Sequence, residues 1–363
     1  MNFFDFYRRD RWPHMFCPGC GIGTVMNCFF RGFEGSGLSQ DRTIFVSGIG
    51  CSGRIPGYIR ADSLHSTHGR PIPFATGIKL ANPDLKVVVF SGDGDLGAIG
   101  GNHFINGCRR NVDLTVICIN NYIYGMTGGQ ASTTTPRGFC SSTTPSGGKE
   151  YPFDLSEIAV AAGANYVARW TTFHVKPLIR SIKKALLKDG FSFVEIAAQC
   201  PTQFGRRNRM GSTREMFQWL KENSLPRQKT QDATEDRLDL NLQGKITVGE
   251  FVERDREAYT KAIGVRKCAS ASDSPDPADR EPFCPASSWP GPPFFMSSAM
   301  PPRRMVSSPS RPSPTARRCA AASDVYKRQP PGRRTGSGWR TCRPSGWHGA
   351  APVSYTHLRA HET

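Results

Sequence analysis

The 363-residue sequence has no run of about eighteen apolar residues, so nothing in it reads as a membrane-spanning helix. Its start, MNFFDFYRRDRWPHMF, lacks the uninterrupted apolar core of a signal peptide, and a cytoplasmic protein without membrane contact is expected. No internal repeat is visible. Glutamate is scarce: Glu34 is the only one before Glu150, and it sits in a glycine-rich stretch, RGFEGSG, that reads as a loop with no supporting strand. Only one CxxC pair occurs, where structural zinc usually shows two. No basic patch interleaved with aromatic residues occurs in the first two-thirds of the chain, which counts against nucleic-acid binding.

The formal net charge is +17, but about half of it lies in residues 264–363, a stretch crowded with Pro, Ser and Arg and without helical or strand periodicity. Segments such as SDVYKRQ (323–329) and VSYTHLRAHET (353–363) read like adapter-derived or out-of-frame translation. The expected organisation is therefore a globular domain over 1–225, an extension over 226–263, and a disordered, non-native tail over 264–363.

In the globular part, branched apolar runs ending in turn signals mark buried parallel strands at Thr43–Ser47, Lys86–Ser91, Asp113–Asn120 and Phe191–Ala197. Helical spacing occupies Ala98–Arg110, Asp154–Ala162 and Val175–Lys188. A further helix spans Met210–Asn223, starting near Ser212 or Thr213 with Glu215 in its first turn. Alternating strands and helices predict an α/β fold, a parallel sheet covered by helices on both faces, with ligands beyond the strand carboxyl ends.

Two such ends carry chemistry. Gly92-Asp93-Gly94-Asp95 follows one strand and Asn120-Asn121 the next, with 25 residues between Gly94 and Asn120. A right-handed crossover places Asp93 and Asn121 side by side, where a carboxylate, an amide oxygen and a main-chain carbonyl suit Mg²⁺ beside a diphosphate. Of twelve cysteines, the eight from Cys17 to Cys200 lie in the globular part. Cys17, Cys20, Cys51 and Cys200 fall in loops or at strand ends; on spacing alone, a [4Fe–4S] cluster, zinc and unrelated thiols all stay open. Cys28, Cys108 and Cys118 fit small core residues, and Cys140 lies in a polar loop.

GDG followed at this spacing by NN resembles the thiamine-diphosphate enzymes, which implies that Asp93, Asn121 and the Ile123 carbonyl hold Mg²⁺. FCPGCGIG (16–23), SGIGCSGRIPGY (47–58), HGR (68–70), NNYIYGMTGGQ (120–130) and CPT (200–202) narrow the resemblance to the beta subunits of 2-oxoacid:ferredoxin oxidoreductases, closest to the 2-oxoglutarate type. The resemblance implies a thiamine-diphosphate-binding fold and a [4Fe–4S] cluster on Cys17, Cys20, Cys51 and Cys200. It also implies a cofactor site including Gly50, Ser52, His68, Gly92, Asp93, Gly94, Asp95, Asn121, Ile123, Thr127 and Gly128, with His68 near the reactive ring. Arg54 is a candidate to meet a substrate carboxylate.

The implied activity is oxidative decarboxylation of a 2-oxoacid, with the acyl group passing to coenzyme A and electrons passing through the cluster to ferredoxin. The implied partners are an alpha subunit that completes the thiamine site with its glutamate, and gamma and delta subunits as further candidates. Two rival readings remain at this point: an iron-free thiamine-dependent decarboxylase or carboligase, and a basic zinc-containing nucleic-acid-binding protein.

Overall fold

The structure is a computed structural model that describes residues 2–227 and 245–264. The expectation of a non-native tail concerns residues outside these. Ten strands are present among the described residues: β1 (Thr43–Ser47), β2 (Ser63–His65), β3 (Lys86–Gly92), β4 (Thr115–Asn120), β5 (Ile123–Tyr124), β6 (Gln130–Ala131), β7 (Tyr166–Thr171), β8 (Ser192–Ala197), β9 (Ser224–Pro226) and β10 (Ile246–Glu253). The helices are α1 (Phe3–Phe6), α2 (Gly21–Ser36), α3 (Pro71–Ala81), α4 (Gly101–Arg110), α5 (Leu155–Ala161), α6 (Val175–Leu187), α7 (Thr213–Glu222) and α8 (Tyr259–Ala262).

Eight strands form one sheet in the order β2-β1-β3-β4-β8-β7-β10-β9, and β5 and β6 form a separate hairpin. From β2 to β7 all pairings are parallel, so these six strands deliver their carboxyl ends to a single edge. Each strand alternates its side chains between two cores. In β3, Val88 and Phe90 pack into a layer with α2 and α6, while Val87 and Val89 pack into the opposite layer with α3, α4 and α5. The four expected strands are all present.

The apolar stripe of α2 (Ile22, Val25, Met26, Phe29, Phe30 and Phe33) follows the i, i+3, i+4, i+7 rule and faces the sheet. A β-carbon on Gly32 would approach Ile182 of α6 at 2.7 Å, so this glycine sets how closely the two helices pack. Phe6, Phe29, Phe33, Phe45 and Phe90 form a cluster of rings 4.8–6.4 Å apart at its centre. RGFEGSG is not a loop: the stripe continues through Phe33, so Glu34 lies exposed on α2, which ends at Gly37 with φ 72°.

Other boundaries differ for local reasons. The helix expected from Ala98 begins at Gly101, because Asp95–Ile99 winds as a π turn first. Ser212 caps α7, and its reciprocal bonds with Glu215 form the expected capping box. The segment expected to be a surface extension contains β10, which pairs antiparallel with β7 across a register shift between Glu250 and Val252. Its apolar residues Ile246, Val248 and Phe251 are buried; the interspersed Thr, Gly and Glu hide that pattern in the sequence. The sheet is accordingly mixed at this end. None of the described helices is long and apolar enough to cross a membrane.

Phe29→Ala removes a fully buried ring that touches Phe33, Phe45 and Phe90. A loss of about 3–5 kcal/mol is expected, measured as a lower denaturant midpoint with unchanged slope.

Candidate active site

The carboxyl-terminal edge of the parallel strands holds a cavity of about 500 Å³. Gly50, Cys51 and Ser52 reach it from β1, Asp93 and its flanking glycines from β3, and Asn121 from β4. His68 enters from the loop after β2, and Ile123 and Thr127 from the hairpin segment. Of the cofactor-site residues expected from sequence, only Gly128 does not line it; its carbonyl accepts instead from Arg207 Nη2 at 2.7 Å.

Asp93 is 3% exposed and, among the described residues, has no cationic partner. Burial raises its carboxyl above the usual range, although the Ser132 and Thr134 hydroxyls and the N–H groups of Asp93 and Asn121 donate to it. Thr134 Oγ1 lies 2.6 Å from Asp93 Oδ2. A buried carboxylate without a counter-charge, beside an amide and a main-chain carbonyl, is an oxygen-rich donor set of the kind a hard divalent cation takes. Gly94 leaves room for the ring of Tyr124, with which a β-carbon would collide, and Tyr124 Oη donates to the Gly94 carbonyl at 3.1 Å.

Asp95 acts as a brace. Its Oδ1 accepts from Gly69 N–H at 2.7 Å and Ile49 N–H at 3.1 Å, its Oδ2 from Ser91 Oγ at 2.6 Å, and His68 Nδ1 stands 2.7 Å from Oδ1. One carboxylate thereby ties three segments of the cavity wall together. A β-carbon on Gly48 would strike that carboxylate, so the glycine there is a steric requirement.

All four predicted cysteine ligands line a second, smaller cavity of about 80 Å³. Cys17-Pro18-Gly19-Cys20 forms a tight turn, with Cys20 N–H on the Cys17 carbonyl at 3.0 Å and Gly19 at φ 76°, as a type II turn requires. Cys20 immediately precedes α2, Cys51 a 3₁₀ turn over Ser52–Tyr58, and Cys200 a π turn over Pro201–Gly205, so three helical N-termini face the sulfurs. The Ile22 N–H points to Cys20, and those of Gln203 and Phe204 to Cys200.

Burial, reinforced by the neighbouring sulfurs, pushes the Cys20 thiol up to about 12 and the Cys51 thiol up to about 11, and raises Cys200. Among the described residues, no three His, Cys, Asp or Glu side chains converge on one metal ion. Cys28, Cys108 and Cys118 are buried in the core, as expected.

The two cavities share a wall: Cys51, Asn121, Gly125 and Met126 line both. Gly125 lies between the two sulfurs: a β-carbon there would be in ordinary van der Waals contact, 3.7 Å, with both the Cys51 and the Cys200 sulfur. Arg54 is exposed and lines the cysteine cavity but not the larger one. Sequence reasoning missed Tyr124, Thr134 and a buried ionic group behind the cavity, Arg169 with Asp154 and Glu195. Thr134 carries no local signal. Glu195 does: a carboxylate inside the apolar run FSFVEIA must have a buried partner.

Residues 48–196 match the family of thiamine pyrophosphate enzymes, C-terminal TPP binding domain. The chain is 60% identical over 258 residues to 2-oxoglutarate synthase subunit KorB of Methanothermobacter thermautotrophicus, covering 71% of this chain and 89% of the relative. It is 57% identical over 258 residues to the protein of the same name in Methanocaldococcus jannaschii, covering 71% and 94%. A solved structure, 2-oxoglutarate:ferredoxin oxidoreductase from Magnetococcus marinus with 2-oxoglutarate, coenzyme A and succinyl-CoA bound, aligns with a TM-score of 0.64. That alignment has 32% identity and covers 73% of this chain and 89% of that one.

The raised thiols make a direct prediction for protein stripped of metal. At pH 8 Cys20 and Cys51 are almost wholly protonated, and their thiolate fraction grows about tenfold per pH unit toward pH 10. Alkylation followed by peptide mapping is expected to show slow modification of both at pH 8 and a steep rise with pH; a rate independent of pH contradicts the burial described here.

Proposed function

The chain belongs to the beta subunits of the 2-oxoacid:ferredoxin oxidoreductases, close to the 2-oxoglutarate synthase type, and from that premise we propose how its residues divide the work. It is the catalytic subunit of an enzyme that decarboxylates a 2-oxoacid oxidatively, with 2-oxoglutarate the favoured substrate, and forms an acyl-CoA while reducing ferredoxin.

Asp93, Asn121 and the Ile123 carbonyl would hold Mg²⁺, and through it the diphosphate of thiamine diphosphate. When bound, that cofactor supplies the carbon nucleophile and the electron sink that decarboxylation of a 2-oxoacid needs. Gly92 and Gly94 would let the main chain approach the diphosphate, with Gly50, Ser52 and Thr127 lining the same cavity and Gly128 beside it in sequence but off its wall. His68, which lines the cavity with its Nδ1 2.7 Å from Asp95 Oδ1, would be the side chain offered to the cofactor's reactive ring. Arg54 suits a carboxylate that reaches the cysteine side.

Cys17, Cys20, Cys51 and Cys200 would ligate a [4Fe–4S] cluster. In such a cluster each thiolate takes a different iron, so the sulfurs need not converge on one point. The N–H groups directed at Cys20 and Cys200 would stabilise the added negative charge of the reduced cluster.

The observation that carries this reading is the shared wall: the cavity with the buried Asp93 abuts the cavity with the four cysteines, and Cys51 belongs to both. A cofactor in the larger cavity and a cluster in the smaller one would be separated by this single wall of Cys51, Asn121, Gly125 and Met126. Among the residues lining the larger cavity there is no glutamate, and Glu34 and Glu150 are both exposed elsewhere. This is in keeping with an alpha subunit that completes the site; gamma and delta subunits and a cytoplasmic location belong to the same proposal. The nucleic-acid reading has no support left.

Anaerobic co-production with an alpha subunit, followed by iron analysis and viologen reduction with 2-oxoglutarate, pyruvate and coenzyme A, tests the reading. About four irons per chain are expected, with reduction that depends on 2-oxoacid and coenzyme A. Cys51→Ser or Cys200→Ser should lower iron content and abolish viologen reduction. A complex without iron, or turnover by the isolated chain, would overturn the assignment.

A further inference from the structure

One buried carboxylate that does not line the larger cavity is bonded to Asn120, the neighbour of a residue that does. Glu195, in β8, is 2% exposed and has both oxygens engaged. Its Oε2 accepts from Arg169 Nε at 2.8 Å and from Ser156 Oγ at 2.6 Å, and its Oε1 accepts from Asn120 Nδ2 at 2.8 Å. Arg169 is held on its far side by Asp154. Burial, the largest single influence, opposes the charge on Glu195, but the Arg169 guanidinium together with the hydrogen bonds from Ser156 and Asn120 keeps the carboxyl below its usual range.

An ionised carboxylate can only accept, so the Asn120 amide has a single orientation, nitrogen toward Glu195 and oxygen away. That oxygen accepts from Tyr122 N–H at 3.1 Å and lies 3.0 Å from Thr134 Oγ1. Thr134 has one proton, and Asp93, 2.6 Å away, is the stronger acceptor. The Asn120 oxygen is thereby left to the Tyr122 N–H. Tyr122 needs that bond, because at φ 63° it occupies the left-handed region, which is costly for a residue with a β-carbon. Thr135 Oγ1 donates to the Tyr122 carbonyl at 2.6 Å and braces the same turn. Asn121 and Ile123 are the residues on either side of it.

We infer that Glu195 is a positioning residue for the cation site: by fixing the Asn120 amide it sets the turn that presents Asn121 and Ile123. The inference rests on the reading of Asp93, Asn121 and Ile123 as Mg²⁺ ligands. One buried carboxylate then governs two of the three ligands without touching the ion.

Glu195→Gln tests it, because it keeps shape and reverses polarity. Arg169 and Ser156, both donors, hold the new amide oxygen, which leaves its nitrogen facing residue 120. Asn120 must then flip and lose the bond to Tyr122. In the complex with its alpha subunit and thiamine diphosphate, Mn²⁺ binding followed by electron paramagnetic resonance is expected to weaken at least about tenfold, with iron content unchanged. Adding Asn120→Asp restores an acceptor on both sides of residue 120, and the double variant should recover most of the affinity.

Parental affinity in Glu195→Gln overturns the inference. So does a loss that the double variant fails to recover, since that assigns Glu195 to packing alone. If Glu195→Gln yields no soluble complex, Asn120→Ser removes the amide that joins Glu195 to Tyr122; weaker Mn²⁺ binding is expected and parental binding overturns the proposal. Failure of the parent complex itself to bind Mn²⁺ with thiamine diphosphate would strike the ligand assignment instead.

Discussion

A carboxylate buried at the end of a central strand, with no cationic side chain beside it, is the constraint on which this site depends. Asp93 carries that cost: burial opposes its charge and raises its carboxyl above the usual range. Hydroxyl and main-chain donors around Asp93 offset part of the cost, and the proposed divalent cation would offset the rest. The fold supplies the place. Six parallel strands end on one edge, and the β3–β4 crossover brings Asp93 and Asn121 together there. The buried ionic group of Arg169, Asp154 and Glu195 anchors the same edge from behind.

The cysteine cavity follows from the same edge. Cys51 leaves β1 and Cys200 leaves β8, while the CPGC turn is tied to the residues after β8 by Gly21 N–H on the Gln199 carbonyl at 3.0 Å. Thr172 and Gln199 extend that tie at 2.6 Å. On the proposed reading, the redox centre would share this edge and need no separate domain. Among the described residues, the lining of the larger cavity offers oxygen and sulfur but no glutamate, in keeping with the proposed alpha subunit.

Much of this was legible in the sequence, for identifiable reasons. Apolar runs of branched residues ending in GDG and NN can hardly be other than buried strands with polar ends, and Ser212 with Glu215 announces the start of α7. Other features were hidden. The strand Tyr166–Thr171 carries Arg169 in its centre, which breaks the apolar pattern, and only the pairing with Asp154 and Glu195 makes that residue tolerable in the core. In β10 a bulge disturbs the alternation. Tyr122 in a left-handed turn and the π turns after Asp93 and Cys200 have no compositional mark, because tertiary bonds rather than local preference hold them.

The central claim is that the cation site and the cluster are neighbours on one chain. Electron paramagnetic resonance of the assembled complex, with Mn²⁺ in place of Mg²⁺ and thiamine diphosphate bound, tests it most directly. Reduction of the cluster is predicted to broaden the Mn²⁺ signal through magnetic coupling across the shared wall of Cys51 and Gly125. A Mn²⁺ spectrum indifferent to the oxidation state of the cluster would contradict the account.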